Sequence, residues 1–265
     1  METRPTRAAL AAWAAAVVFF LWFPLVLICL YAFNSSNIQS WPIAGFTLHW
    51  FSVAWHDTEA RSALWLSLEA ALLATSVALV LGTMAAFAVS RFRFFGRDVV
   101  SFLVVLPIAL PGVITGIALA SFFSFGAITF SLWTIVVGHA TFCIVVVYNN
   151  VVARLRRTQT SLMEASMDLG ADGWQTFRYV TFPVVSTALI SGALLAFALS
   201  FDEVIVTTFT AGAQNTLPLW IFGNIRLGQQ LPEVNAVVFV IIAATIIPVT
   251  VAQRLTSDTG ILRRT

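Results

Sequence analysis

Four ionisable side chains stand in or beside long apolar stretches, where a charge is costly and often functional. Asp202 and Glu203 end an uncharged run, Glu69 lies near the start of another, and His139 lies in the middle of a third. Carboxylates attract cations, so these residues are candidates for contact with a cationic solute. The alternatives for Asp202 and Glu203 are a solvated helix end or a structural hydrogen bond. For Glu69 the alternative is a contact with Arg61, and for His139 an interhelical hydrogen bond is favoured over a place in the solute path.

Several other chemistries are excluded by residues that the chain lacks. All 14 basic residues are arginine, so a P-loop and a Schiff-base amine are both ruled out. Cys29 and Cys143 both fall in apolar runs and have no zinc or disulfide spacing, and no metal site is expected. The motifs of intramembrane hydrolases are missing as well. A stand-alone channel stays open as an alternative, although it would not need the inner loop described below.

The composition indicates an integral membrane protein. Of 265 residues, 59% are apolar and 10% are charged, whereas soluble domains have about a quarter charged residues. Each membrane helix needs about 20 apolar residues, and the uncharged runs predict a single transmembrane domain with six spans at about 8–33, 63–90, 99–124, 131–152, 183–203 and 234–254. Pro107 and Pro111 predict a bend in the third span. The polar segment 204–233 is predicted to be re-entrant or external, with a short helix over 216–222, and a seventh span is the less favoured alternative.

The arginines predict the orientation of these spans. If both termini are cytoplasmic, only Arg61 and Arg226 lie on the outer side. The other 12 arginines lie inside: Arg4, Arg7, Arg91, Arg93, Arg97, Arg154, Arg156, Arg157, Arg178, Arg254, Arg263 and Arg264. This distribution obeys the positive-inside rule.

The longest inner segment, 153–182, is predicted to form two short amphipathic helices. Ser161 and Glu164 have the spacing of a capping box, which places a helix start near residue 162. Gly170 suits a left-handed C-terminal cap, and Asp172 can cap the second helix. Such a segment can also be a simple connector on the lipid headgroups.

The residues of this inner segment follow a recognisable pattern. The segment resembles the EAA loop of ABC importer permeases at Glu164-Ala165-Ser166, Gly170 and Pro183. The family pattern is E-A-A, then three residues, G, nine residues, I, one residue and L-P. Ser166, Val180 and Phe182 depart conservatively from that pattern. Further stretches resemble the PotC-like permease subunit of spermidine/putrescine-type importers: 32–36, 45–48, 50–51, 139–143, 167–171, 199–203, 209–212 and 232–236.

The resemblance implies an all-α, MetI-like type I importer fold and a non-catalytic subunit that moves a polyamine. The alternative is another small solute such as 4-aminobutyrate or another amine. The implied partners are a second permease subunit, two ABC ATPase subunits that bind ATP and Mg, a periplasmic or lipoprotein substrate-binding protein and the bilayer of the bacterial inner membrane. No nucleic acid is expected, and this chain is expected to bind no cofactor. The residues implied to couple to the ATPase are Glu164, Ala165, Ser166, Asp168, Leu169, Gly170, Trp174, Phe177 and Pro183.

Overall fold

The computed structural model describes residues 4–159 and 161–261, with side chains for 6–159 and 161–246, and it is mainly helical. The helices are α1 (Arg4–Ala32), α2 (His49–His56), α3 (Thr58–Arg91), α4 (Arg97–Ala109), α5 (Gly112–Phe125), α6 (Leu132–Arg157), α7 (Ser161–Asp168), α8 (Gly173–Thr176), α9 (Phe182–Phe201), α10 (Ile205–Thr210), α11 (Leu217–Leu227) and α12 (Leu231–Ile261). A π-helical turn, Phe177–Thr181, joins α8 to α9. The predicted all-α class is confirmed.

Four helical segments in the described part of the chain are long and apolar enough to cross a membrane: Thr6–Ala32, Thr58–Arg91, Leu132–Arg157 and Gly173–Phe201. A fifth crossing is formed if the bent pair α4 and α5 is one span. The predicted sixth span falls on α12, whose side chains are described only as far as residue 246. The count of six spans therefore stays a prediction. The side chains of four of the arginines used to predict the orientation also lie outside the described part: Arg4, Arg254, Arg263 and Arg264.

The predicted bend in the third span is a full break. Helices α4 and α5 meet at an angle of 106°. Leu110 is extended (φ −85°, ψ 142°) because the ring of Pro111 disfavours helical backbone in the residue before it. Pro111 also lacks the N–H that a continuous helix would need. The predicted segment 99–124 therefore consists of two helices that meet at the prolines.

The helix that contains the fifth predicted span begins earlier than residue 183. Helix α8, the π-helical turn and α9 run without a gap from Gly173 to Phe201. Pro183 lies in the first turn of α9, and a proline there would clash with the carbonyl of the preceding α-helical turn. The π-helical turn is wider than an α-helical turn and accommodates this ring. The second inner helix is thus the start of the membrane helix and not a separate element.

The residues divide into two compact units. The first contains the residues up to Arg61 and those from Ile221 onwards. In this unit α1 and α2 both pack on α12. The rings of Phe33, Phe51 and Phe239 form a cluster with centroids 5.1 to 5.7 Å apart. The indole of Trp50 donates a 2.8 Å hydrogen bond to the carbonyl oxygen of Asn34, which holds the loop after α1.

The second unit, Ser62–Trp220, is built around α6. Helix α6 packs on α4, α5, α9 and α10, and from its middle towards its C-terminus it carries the core residues Cys143, Val147, Tyr148 and Val151. Alanines 70, 71, 74, 78 and 86 of α3 are all buried, and such small residues allow close helix packing in a membrane. The thiol of Cys143 only donates to a backbone carbonyl, so this cysteine is a small buried side chain.

The segment after α9 contains the short helices α10 and α11. Helix α11 covers residues 217–227, which confirms the predicted short helix and extends it by about one turn. Its first backbone amide, that of Leu217, donates a 2.8 Å hydrogen bond to the hydroxyl of Ser67 on α3. This bond fixes the start of α11 within the second unit.

Candidate functional site

The two acidic residues at the end of α9 have different roles. Asp202 is the exposed C-cap of α9, and its carboxylate makes no hydrogen bond with another described residue. Glu203 is half-buried, and its Oε1 accepts a 2.9 Å hydrogen bond from the backbone amide of Val206 in the first turn of α10. A carboxylate at a helix N-terminus satisfies an amide that has no partner within the helix. Of the two carboxylates, that of Asp202 is thus the more exposed, whereas Glu203 uses one oxygen to cap α10.

His139 connects three helices beneath this turn. It is 1% exposed on α6. Its Nδ1 lies 2.7 Å from the hydroxyl of Ser200 on α9, and its Nε2 lies 2.8 Å from the hydroxyl of Thr207 on α10. Both ring nitrogens are engaged, so the side chain serves as an interhelical link, the role that the sequence favoured.

The hydrogen bonds around Thr207 assign the tautomer of His139. The hydroxyl of Thr207 donates its single hydrogen to the carbonyl oxygen of Glu203, at 2.6 Å. It must therefore accept from Nε2, which places the ring proton there. Nδ1 then accepts from the hydroxyl of Ser200. The network runs from Ser200 through His139 and Thr207 to the backbone of Glu203, next to Asp202.

Glu69 lies apart from these contacts. It is half-buried on α3, two residues after Ser67, and its carboxylate makes no hydrogen bond with another described residue. The side chain of Arg61 donates to the backbone carbonyl of Asp57. Glu69 stays a prediction as a contact for a cationic solute.

The inner segment forms the predicted helix–glycine–helix. Gly170 has φ +87°, and the amide of Ala171 donates to the carbonyl of Ser166 across the end of α7. This is the bond pattern of a left-handed helix cap. Asp172 and Gln175 form a capping box at α8, with bonds of 2.7 and 3.0 Å. Both predicted caps of the turn are confirmed.

Helix α7 begins at Ser161, which agrees with the predicted start near residue 162. Glu164 is exposed, and its side chain makes no hydrogen bond with another described residue. The predicted capping box between these two side chains is therefore not formed among the described residues. The carboxylate of Glu164 is open to a partner. Asp168, Ala165 and Pro183 are exposed as well.

The surface of this inner segment is partly apolar. Leu169 is 90% exposed, Trp174 is 65% exposed, and Leu162 and Met167 are about half exposed. Met163 is buried and contacts the guanidinium of Arg91.

Two of the residues predicted to couple also make contacts within the chain. The ring of Phe177 packs between those of Phe87 and Phe182, with centroids 6.1 and 6.2 Å away, as well as on Trp174. The side chain of Phe177 is thus held largely by contacts within this chain. The hydroxyl of Ser166 lies 3.2 Å from that of Thr176, which links α7 to α8.

Sequence reasoning missed the roles of Ser200 and Thr207. Both hydroxyls are buried, at 2% and 0% exposure. Their residue types are common in membrane helices, and Thr207 is one of several threonines in its segment. The one available signal was a histidine in an apolar run, which needs polar partners from other helices.

Comparison with known proteins agrees with this architecture. Residues 78–257 match the family described as binding-protein-dependent transport system inner membrane component. The putrescine transport system permease protein PotI of Escherichia coli (strain K12) is 37% identical over 234 residues, which are 85% of this chain and 82% of PotI. The spermidine/putrescine transport system permease protein PotC of the same strain is 30% identical over 245 residues, 92% of each chain.

A solved structure shares the fold. It is the crystal structure of a bacterial ABC transporter involved in the import of the acidic polysaccharide alginate, and one of its chains superposes with a TM-score of 0.73. The superposition covers 96% of this chain and 98% of that chain at 17% sequence identity. This similarity supports the fold alone.

Proposed function

Since the chain belongs to the family of binding-protein-dependent transport system inner membrane components, we propose that it is the permease subunit of an ABC importer for a polyamine such as spermidine or putrescine. It resides in the bacterial inner membrane and moves the solute towards the cytoplasm. The observation that carries the substrate class is the exposed carboxylate of Asp202. A polyamine carries several positive charges, and a fixed carboxylate attracts them where the solute enters.

The energy for transport comes from partner subunits. This chain has no lysine and so no P-loop. ATP and Mg bind to two copies of an ABC ATPase subunit, and a second permease subunit completes the membrane path. A periplasmic or lipoprotein substrate-binding protein delivers the solute.

The inner helix–glycine–helix is the link to the ATPase. The exposed side chains of Leu169 and Trp174 supply an apolar contact surface, and Glu164 supplies a carboxylate for an arginine on the ATPase. Because α8 continues into α9, a push on this surface reaches the end of α9, where Asp202 lies. The same helix thus connects the ATPase contact to the solute contact.

The test is ATP-driven uptake by the whole transporter in liposomes, with labelled spermidine, putrescine and 4-aminobutyrate and the binding protein present. Asp202→Asn is expected to lower polyamine uptake about tenfold, which corresponds to about 1.4 kcal/mol of lost attraction. Glu203→Gln is the control, because its Oε1 still accepts from the amide of Val206. Polyamine uptake by Asp202→Asn at the wild-type level contradicts the role of Asp202.

The same assay decides between solutes. Uptake of 4-aminobutyrate without uptake of either polyamine replaces the polyamine assignment with an amino-acid-like amine. Uptake of none of the three overturns the substrate class. ATP hydrolysis that the loaded binding protein stimulates would still support an importer subunit in that case.

A further inference from the structure

The loop between α3 and α4 combines arginines with exposed aromatic rings. We call residues 91–98 the Arg–Phe loop, with the sequence Arg-Phe-Arg-Phe-Phe-Gly-Arg-Asp. Phe95 is fully exposed, Phe92 is 65% exposed and Phe94 is 40% exposed. Exposure of three phenylalanine rings in one short loop to water is unfavourable. We therefore expect an apolar partner to cover this patch.

The same loop forms an open depression with a positive lining. The depression has a volume of about 470 Å³ and includes Arg93, Arg97 and Asp98 in its wall. The lining contains two arginines and one aspartate, so the depression carries a net positive charge. Neither guanidinium has a hydrogen-bond or ion-pair partner among the described residues, whereas Arg91 is held against Met163. Volumes of about 300 to 1,000 Å³ are typical of small-ligand sites.

The position of the loop identifies its environment. Arg91 ends the apolar helix α3, and Arg97 begins the apolar helix α4. The five residues between them cannot extend far from the ends of these helices, so the loop lies at the depth of the lipid headgroups. The distribution of arginines along the chain places this end of the helices at the inner leaflet.

We propose that the Arg–Phe loop binds an anionic phospholipid of the inner leaflet, of the phosphatidylglycerol or cardiolipin type. Arg93 and Arg97 donate charge-assisted hydrogen bonds to the lipid phosphate. Phe95 inserts its ring among the acyl chains. Free phosphate or an acidic peptide would match the charge but would leave the phenylalanine rings uncovered, so the combination of both features favours a lipid.

The test is lipid binding by the purified transporter, measured by native mass spectrometry during titration with phosphatidylglycerol and with phosphatidylcholine. The double variant Arg93→Gln/Arg97→Gln is expected to weaken phosphatidylglycerol binding about fivefold for each arginine removed. The matched control is Arg156→Gln/Arg157→Gln, which removes the same charge from exposed arginines at the inner end of α6. Phosphatidylcholine binding is expected to stay unchanged in both.

Three results would overturn the proposal. Equal weakening in the two double variants would show a general effect of surface charge. Unchanged phosphatidylglycerol binding in Arg93→Gln/Arg97→Gln would show that the loop has no lipid site. Loss of a partner subunit from that variant would identify the loop as a protein contact. If the double variant does not assemble, Arg93→Gln and Arg97→Gln are measured singly against Arg156→Gln.

Discussion

His139 and Ser200 are joined across two helices by a 2.7 Å hydrogen bond between Nδ1 and the hydroxyl oxygen, 61 residues apart in sequence. The other ring nitrogen reaches Thr207, so one side chain of α6 sets the distance between the end of α9 and the start of α10. Asp202 lies in the turn between these two helices. The position of the turn that carries Asp202 thus depends on a buried hydrogen-bond network.

The first prediction concerns the buried hydroxyl of this network. Thr207→Val keeps the shape of the side chain but leaves Nε2 of His139 without its partner, which costs about 1–2 kcal/mol of folding free energy. Thr208→Val is the matched control, because its hydroxyl also bonds a carbonyl four residues earlier but is exposed. Thermal unfolding in detergent is the measurement. An equal loss of stability in both variants would contradict the network.

The second prediction separates the two carboxylates. Glu203→Ala removes the hydrogen bond to the amide of Val206 and is expected to cost about 1 kcal/mol of stability. Asp202→Ala removes an exposed side chain with no such bond and is expected to leave the melting temperature within about 1 °C of the wild type. A lower melting temperature for Asp202→Ala than for Glu203→Ala would contradict this prediction, because it would show that Asp202 stabilises the turn more than Glu203 does.

The third prediction concerns the inner turn. A Cβ on Gly170 or on Gly173 would meet no atom within 4 Å, but only Gly170 has a positive φ. Gly170→Ala therefore strains the backbone by about 1–2 kcal/mol, whereas Gly173→Ala does not. We expect Gly170→Ala to lower the solute transported per ATP hydrolysed, and Gly170→Asp to lower it further. Both variants should still insert into the membrane.

The ratio of uptake to ATP hydrolysis in liposomes is the measurement for this turn. Gly173→Ala should keep the wild-type ratio. A normal ratio in Gly170→Asp would show that the turn between α7 and α8 does not transmit motion from the ATPase.

The fourth prediction concerns the contact between α5 and α10. A Cβ on Gly116 would lie 2.5 Å from the ring of Phe209 and 3.2 Å from its Cβ, so the phenylalanine cannot avoid it by turning its ring alone. Gly116→Ala is expected to destabilise the protein by about 1–3 kcal/mol. Gly223→Ala, on open surface of α11, is expected to be neutral or stabilising because alanine favours helix. The two melting temperatures should therefore shift in opposite directions or by clearly different amounts.

The local caps were predictable because they depend on short-range chemistry. The left-handed turn at Gly170 and the cap at Asp172 follow from residue types a few positions apart. The break after α4 was predicted only as a bend, since the prolines mark its place but not its angle. The capping box between Ser161 and Glu164 is not formed among the described residues, because Ser161 already lies within α7 and is not the residue before it.

The sequence by itself determined the class of the molecule. Long apolar runs, arginines without lysine and the Glu164–Gly170–Pro183 spacing together predicted a membrane permease, and the family match supports this class. These features are local or additive along the chain, so no knowledge of packing is needed to recognise them.

Only the tertiary structure decided which polar side chains are free. The sequence did not separate Asp202 from Glu203 as solute contacts, and it favoured a hydrogen bond for His139 without naming the partners. The fold engages one carboxylate oxygen of Glu203 and both ring nitrogens of His139. Asp202 keeps its carboxylate in the open. A hydrogen bond between residues 61 or 68 positions apart depends on how α6, α9 and α10 pack, and the spacing of residues along one chain does not contain that information.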